Sequence, residues 1–504
     1  MKNLNPVIRY PAIDFSIVLM SWIVLSLHVT NHYTHHYGSI KEHRWIDNLP
    51  KWDFCLYVYH TFNYQWNMPF FFFIGGMTTF LSLKRYKIEI SKMYYSIWDR
   101  FERCIYKCQY KPITICDFLS FSNYLHVNRR TAIEYRKERF HRLIIPALFL
   151  LCFKDIPATL LKCKNTGFEV CFHQLSLIYS FPWKWNPGVT WFLYDMYIYS
   201  QLFLVCFLKW HPNHGSENTN ENNQENQASQ KVTNLKNYAW RPFGISFIIP
   251  PTPGIFTSCM SKILIGPIKL ILIPSLILSM IEICLRRSFP GRFAIWSSWC
   301  DNFHHTFLYV LGYTLISIWH MGIDSILIEN GLLYLVSGSV VILLQIATIL
   351  MGGNWIGGIY GNMFLYPSIC VLRGFGEWMF MVGLYGTLNR FCKSNTTISV
   401  LREMAMPFYL LHSIVIALVI NANIAPVTAS FDSFLRLLIL STLISLMISF
   451  MIIKSPGFVR YFFGLPSREN VLFGQWLKGY GPFVFLLIIR FMESMVANYS
   501  LGKK

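Results

Sequence analysis

Long apolar blocks separated by short polar or basic stretches set the rhythm of this chain. Blocks at 12–31, 56–82, 143–162, 188–208, 266–285, 303–321, 331–351, 367–387, 403–421 and 433–453 each have the length an α-helix needs to cross a hydrocarbon core of about 30 Å. Lipid offers a bare backbone no hydrogen-bond partner, and runs of this length satisfy the backbone as helices rather than as barrel strands. The expected fold is therefore all-α, a polytopic membrane protein with about ten transmembrane helices. The apolar segment 243–262 contains Pro250, Pro251 and Pro253 and reads as interfacial or re-entrant. The first block continues through polar and aromatic residues with no small-residue cleavage pattern, so it is expected to stay attached rather than act as a removable signal peptide.

Composition agrees with lipid as the solvent: 54% of the 504 residues are hydrophobic and 14% are charged. The net charge of +19 fits basic cytoplasmic loops held against anionic lipid, and no segment resembles a nucleic-acid-binding module. Fourteen Lys and Arg crowd 84–142, whereas 352–366 and 422–432 carry none; 321–330 also carries none, although it counts to the basic side. Positive loops stay cytoplasmic, which places both termini, the 84–142 loop and the C-terminal tail 466–504 in the cytoplasm. Residues 214–230, HGSENTNENNQENQASQ, are too polar to bury a core and read as a disordered cytoplasmic linker inside a membrane domain spanning 1–465. The sequons at Asn395 and Asn498 fall on the same side and should be unmodified. Thirteen cysteines lack the spacing of a disulfide framework; Cys163 and Cys171 flank one loop that an oxidising compartment would allow to be bridged. Cys104, Cys108 and Cys116 share a basic loop but have no fourth ligand at a zinc spacing.

Ionisable groups at membrane depth are costly, and they direct the search for chemistry. LHVTNHYTHHYG places His28, His32, His35 and His36 near the outer end of the first block, followed by His43 and His60. Three readings compete: metal ligands on the face shared by His28, His32 and His36, a headgroup-level His and Tyr cluster, and a deep base at His28. Arg373 and Glu377, four residues apart, are placed to pair on one helix face. Tyr409 and His412 lie in FYLLHS, where His412 either orients a substrate or makes a structural polar contact between helices.

RYPAIDFSIVLMSWIVLSLHV resembles the opening of the acyltransferase-3 family of membrane acyltransferases, whose first span carries an Asp, then an Arg, then a His eleven positions after the Arg. Asp14 and His28 match, but Ile17 stands where that family has its Arg. WNMPFFFFIGG (66–76) is similar to the family's second span, RKERFHRLIIP (136–146) to its Arg-x-x-Arg-Leu-x-x-Pro approach to the third, and NPGVTWFLYDMYIYS (186–200) to its Trp-Phe-Leu fourth span, without the His that commonly precedes the Trp. FPGRFAIWSSWCDNF (289–303), LYVLGYTL (308–315), MPFYLLHSIVIAL (406–418) and VRYFFGL (459–465) follow in the family's order. The likeness spans Arg9 to Leu465 apart from 84–135 and 210–262.

The resemblance implies transfer of an acyl group from acyl-CoA or a similar donor to a hydroxyl of a carbohydrate, lipid or other acceptor, with no bound cofactor or metal. It implies His28 as the base, and Asp14, Arg139, Arg142, Trp191 and His412 as groups that handle donor or substrate. A neutral imidazole suits the removal of a hydroxyl proton near neutral pH. Position 17 and His28 lie about 16 Å apart along a straight helix, so a charge at 17 and the base serve different depths of one path. Arg9, Arg139 and Arg142 either replace the absent charge or anchor the helices at the cytoplasmic surface. The rival expectation, kept open by Ile17, is a non-enzymatic transporter or a catalytically lapsed relative.

Overall fold

The computed structural model describes residues 10–34, 51–106, 132–153, 190–210, 253–289, 292–293, 297–352, 364–393, 395–421 and 430–466. Apart from a two-residue antiparallel pair, Arg292–Phe293 with Ser297–Ser298, the regular elements among them are helices. These are α1 (Pro11–Thr34), α2 (Lys51–Tyr106), α3 (132–153, with a π turn over Phe140–Ile144), α4 (Trp191–Leu202), α5 (Leu204–Trp210) and α6 (Pro253–Leu264). They continue as α7 (Pro267–Leu285), α8 (Trp299–Ser317), α9 (Ile323–Gly352), α10 (Leu365–Phe391), α11 (Thr396–Asn421), α12 (Phe431–Ile453) and α13 (Gly457–Phe462).

Among the described residues, five stretches are long and apolar enough to cross a membrane: Pro11–Tyr33, Pro267–Leu285, Ile323–Met351, Thr396–Ile420 and Phe431–Ile453. They coincide with five of the expected spans. Of the others, 56–82 lies inside α2, 367–387 inside α10, and 303–321 largely inside α8, which ends at Ser317. The 188–208 span is broken at Phe203 between α4 and α5, and 143–162 is described only as far as Phe153. The basic 84–142 segment is not simply a loop: α2 continues to Tyr106 and α3 begins at 132. No Gly or Pro interrupts 83–106, and its Lys, Arg and Glu residues favour helix. In the 243–262 segment, Pro253 opens α6, where its missing N–H costs nothing. The 214–230 linker, the tail from 467, Cys163, Cys171, His35, His36, His43 and Arg9 lie outside the described residues.

Helix α12 shows why this bundle belongs in lipid. Ser441, Ser445 and Ser449, one turn apart, are fully buried, while Ile439, Leu443 and Met447 are exposed, Leu443 by 57%. This is the reverse of a water-soluble helix. Small hydroxyl residues face neighbouring helices and the large apolar ones face the solvent, which must therefore be hydrocarbon. Helix α9 repeats the pattern with Leu333, Val336, Val340 and Leu344 outward. Several buried hydroxyls are satisfied within their own helix: Ser449 donates to the Ser445 carbonyl at 2.6 Å, and in α1 Ser16, Ser21 and Thr30 each donate to the carbonyl four residues earlier, at 2.7, 2.8 and 2.7 Å. The integral membrane class follows from these patterns together.

The core is aromatic. Phe70, Phe72 and Phe73 of α2 are buried among α4, α8 and α10, with Phe73 edge-on to Trp378 at 5.4 Å. Gly76 of α2 and Gly312 of α8 let the two backbones touch, since a Cβ on either would run into the carbonyl of Tyr309 or Phe73. That contact fixes α8 against α2 and sets the position of its histidines.

Candidate functional site

His28 and His412, 384 positions apart in the chain, meet inside the bundle. Helices α1 and α11 pack together, and the two imidazole centroids stand 4.9 Å apart with an interplanar angle of 44°. His412 is fully buried, and its Nδ1–H donates to the Tyr409 carbonyl at 2.5 Å. In a neutral ring that bond places the lone pair on Nε2, which has no hydrogen-bond partner among the described residues. His28 is partly exposed and stands in front of it. Elsewhere on α1, Ser26 Oγ and Tyr59 OH share a 2.6 Å hydrogen bond that ties α1 to α2. His32 is exposed, and His60 stacks on Tyr64 at 5.8 Å.

Asp14 lies near the opposite end of α1, where Arg402 Nε of α11 approaches its Oδ1 at 3.0 Å. Ile17, one turn further along, packs against the apolar core. Arg402, which faces Asp14 from α11, was not singled out by linear reading of the sequence.

Arg139 is buried and donates from Nη2 to Thr79 Oγ1 at 3.1 Å, with its guanidinium 5.1 Å from the Tyr135 ring. Tyr135 OH also reaches Thr79 Oγ1, at 3.2 Å, as does Tyr309 OH at 2.6 Å. Within the described residues no carboxylate lies at ion-pair distance from Arg139. Arg142, more exposed, pairs with Glu138 at 2.8 Å. Trp191 lies in another sector, joined to the histidine pair through rings. Its centroid is 6.2 Å from Phe72, Phe72 is 6.1 Å from Phe192, Phe192 is 5.0 Å from Tyr409, and Tyr409 is 5.7 Å from His412. The structure thus brings together His28 and His412, and leaves Asp14, Arg139 with Arg142, and Trp191 at three separate places around them.

The expected Arg373 and Glu377 pair is present, Nε to Oε2 at 3.8 Å, but it is one edge of a larger cluster with Glu282, Arg286, Asp301 and His304. Sequence reading missed those four. The signal available was Glu282 inside the apolar run PSLILSMIEICL and the adjacent His304 and His305 one turn into α8. Among the described residues, no group of three or more His, Cys, Asp or Glu has the arrangement of a metal site. No protein-family profile, curated protein or solved structure matches this chain.

Proposed function

We propose that this chain is a ten-span membrane acyltransferase that moves an acyl group from an acyl-CoA-type donor to a hydroxyl of a carbohydrate, lipid or other acceptor, with both termini in the cytoplasm. The observation that carries the reading is the pair of His28 and His412: one partly exposed imidazole, backed by another whose tautomer is held by the Tyr409 carbonyl. His28 takes the proton of the acceptor hydroxyl as its oxygen attacks the thioester carbonyl. The C–O bond forms, the C–S bond breaks, and the proton passes from the imidazolium to the departing thiolate, so that ester and free thiol are the products. A positioned base of this kind contributes about 10²–10⁴ in rate. Arg139, buried without a carboxylate partner among the described residues, and the more exposed Arg142 are suited to the phosphate charges of the donor. Arg402, held beside Asp14, supplies a cation at the level where the resembling family carries its first-span Arg.

The test is incubation of membranes with labelled acyl-CoA donors, activity being normalised to inserted protein. His28→Ala should lower acyl transfer by about 10² or more, and His32→Ala much less. Replacing Arg139 and Arg142 together should raise the donor requirement more than it lowers the maximal rate. Full activity of His28→Ala would overturn the mechanism, and absence of any acylated product across donors would favour the transporter or lapsed-enzyme reading.

A further inference from the structure

Away from the histidine pair, α7, α8 and α10 converge on a charged cluster inside the bundle. Glu282 stands in the last turn of α7, His304 in the second turn of α8 and Glu377 in the middle of α10, all three buried. His304 Nε2 is hydrogen-bonded to Glu377 Oε1 at 2.5 Å, and its Nδ1 lies 3.2 Å from Glu282 Oε1, at ion-pair distance but out of hydrogen-bond alignment. A neutral imidazole has one N–H and one lone pair, so it can satisfy one carboxylate only by turning its lone pair toward the other. Both contacts are attractive when the ring is an imidazolium, and the repulsion between a lone pair and a carboxylate is also removed when one carboxylate holds a proton. Either way, the triad contains one proton more than a neutral histidine between two carboxylates.

Charge counting gives the same result. Arg286 bonds Glu282 and reaches Asp301 at 2.8 Å, while Arg373 lies 3.5 Å from Glu282 and 3.8 Å from Glu377. Three carboxylates against two guanidiniums leave one negative charge, which a single proton on the triad cancels; leaving it uncompensated at this depth would be costly. The remaining ionisable neighbours do not supply that charge. Tyr366 OH donates to the Glu282 backbone carbonyl at 3.0 Å, and Cys300 Sγ points to the Ile281 carbonyl. His305 turns away and stacks on Phe72 at 4.3 Å.

The cluster also has a direction. Side-chain exposure falls from 34% at Asp301 and 25% at Arg286 to 3% at His304 and 0% at Glu377. At the inner end, Glu377 Oε2 has no hydrogen-bond donor among the described residues. We propose that Glu282, His304 and Glu377 form an intramembrane proton-binding site, which exchanges its proton with the solution through the Asp301 and Arg286 end. The site is independent of acyl transfer: it follows from geometry and charge balance whichever reaction the chain performs.

The experiment uses the full chain in lipid nanodiscs with ¹⁵N-labelled histidine rings, together with infrared difference spectra in H₂O and D₂O. At neutral pH, His304 should show both ring nitrogens protonated, the signal being identified by its loss in His304→Gln; a protonated carboxyl band lost in Glu377→Gln would locate the same proton on the carboxylate. Glu377→Gln balances two carboxylates against two guanidiniums, and His304 should then lose its imidazolium signal. In thermal unfolding, His304→Gln should be destabilised, and His304→Gln/Glu377→Gln should recover part of the loss because the double variant is again neutral. Exchange into D₂O should be slower in Asp301→Asn than in the unmodified chain. A neutral His304 with no protonated carboxyl in the unmodified chain, a double variant no more stable than His304→Gln, or exchange indifferent to Asp301 would overturn the proposal.

Discussion

Arg460 is a fully buried guanidinium, and its removal should cost more than that of most charges in the chain. It lies in α13, donates from Nη2 to Glu403 Oε1 of α11 at 2.6 Å and from Nε to the Pro466 carbonyl at 2.9 Å, and also bonds the Ile453 carbonyl at the end of α12. The side chain therefore ties together α11, α12 and the segment after α13. In the same segment Gly464, at φ +66°, packs so closely that a Cβ would come within 2.8 Å of the Arg142 carbonyl of α3. Arg460→Met keeps most of the volume but leaves two carbonyls without their donor and Glu403 without its cation. Breaking a buried ion pair from one side costs about 3–5 kcal/mol. Glu403→Gln should cost less, about 1–3 kcal/mol, because Glu403 remains 23% exposed and the amide oxygen can still accept from Nη2. The assay is thermal unfolding of both variants in the same detergent, with donor dependence of acyl transfer followed in parallel, since the tether abuts the helix that carries Arg139 and Arg142. Equal melting temperatures for Arg460→Met and the unmodified chain would refute the reasoning, as would a larger loss in Glu403→Gln than in Arg460→Met.

Three further outcomes are expected. Gly331→Ala places a Cβ 2.8 Å from the backbone of Gly386 and Thr387, so α9 and α10 must move apart and stability should fall by about 1–3 kcal/mol, measured by the same unfolding assay. A fluorophore on a cysteine at Leu333 or Leu443 should be quenched by a lipid-soluble quencher and one at Ser445 should not; the opposite order would reverse the assignment of lipid-facing and buried stripes. A double-mutant cycle on Asp14→Asn and Arg402→Gln should give a stability coupling of no more than about 1 kcal/mol, because Arg402 is 40% exposed, and a large effect on stability with none on donor dependence would make the pair structural.

The apolar blocks determine the class of this protein by themselves. Helix formation in lipid is local, every backbone bond closing within about four residues, so α1, α7, α9, α11 and α12 were legible from run length alone. The same locality made the Arg373 and Glu377 pair readable, since both lie on one helix face. The ends of elements were less legible where amphipathic sequence continues past the apolar core, as in α2, whose basic extension reads as a loop by charge but forms helix by propensity. Everything that depends on which helix lies beside which was decided by the tertiary structure. His28 gave no sign that His412 would be its neighbour, and Asp14 gave none that Arg402 would face it, because contacts between residues nearly 400 positions apart follow from packing. The cluster of Glu282, His304 and Glu377 is the clearest case. Each is a single costly group in its own apolar segment, and only the meeting of α7, α8 and α10 turns three separate penalties into one set at ion-pair distance that, with its two arginines and Asp301, balances on a shared proton.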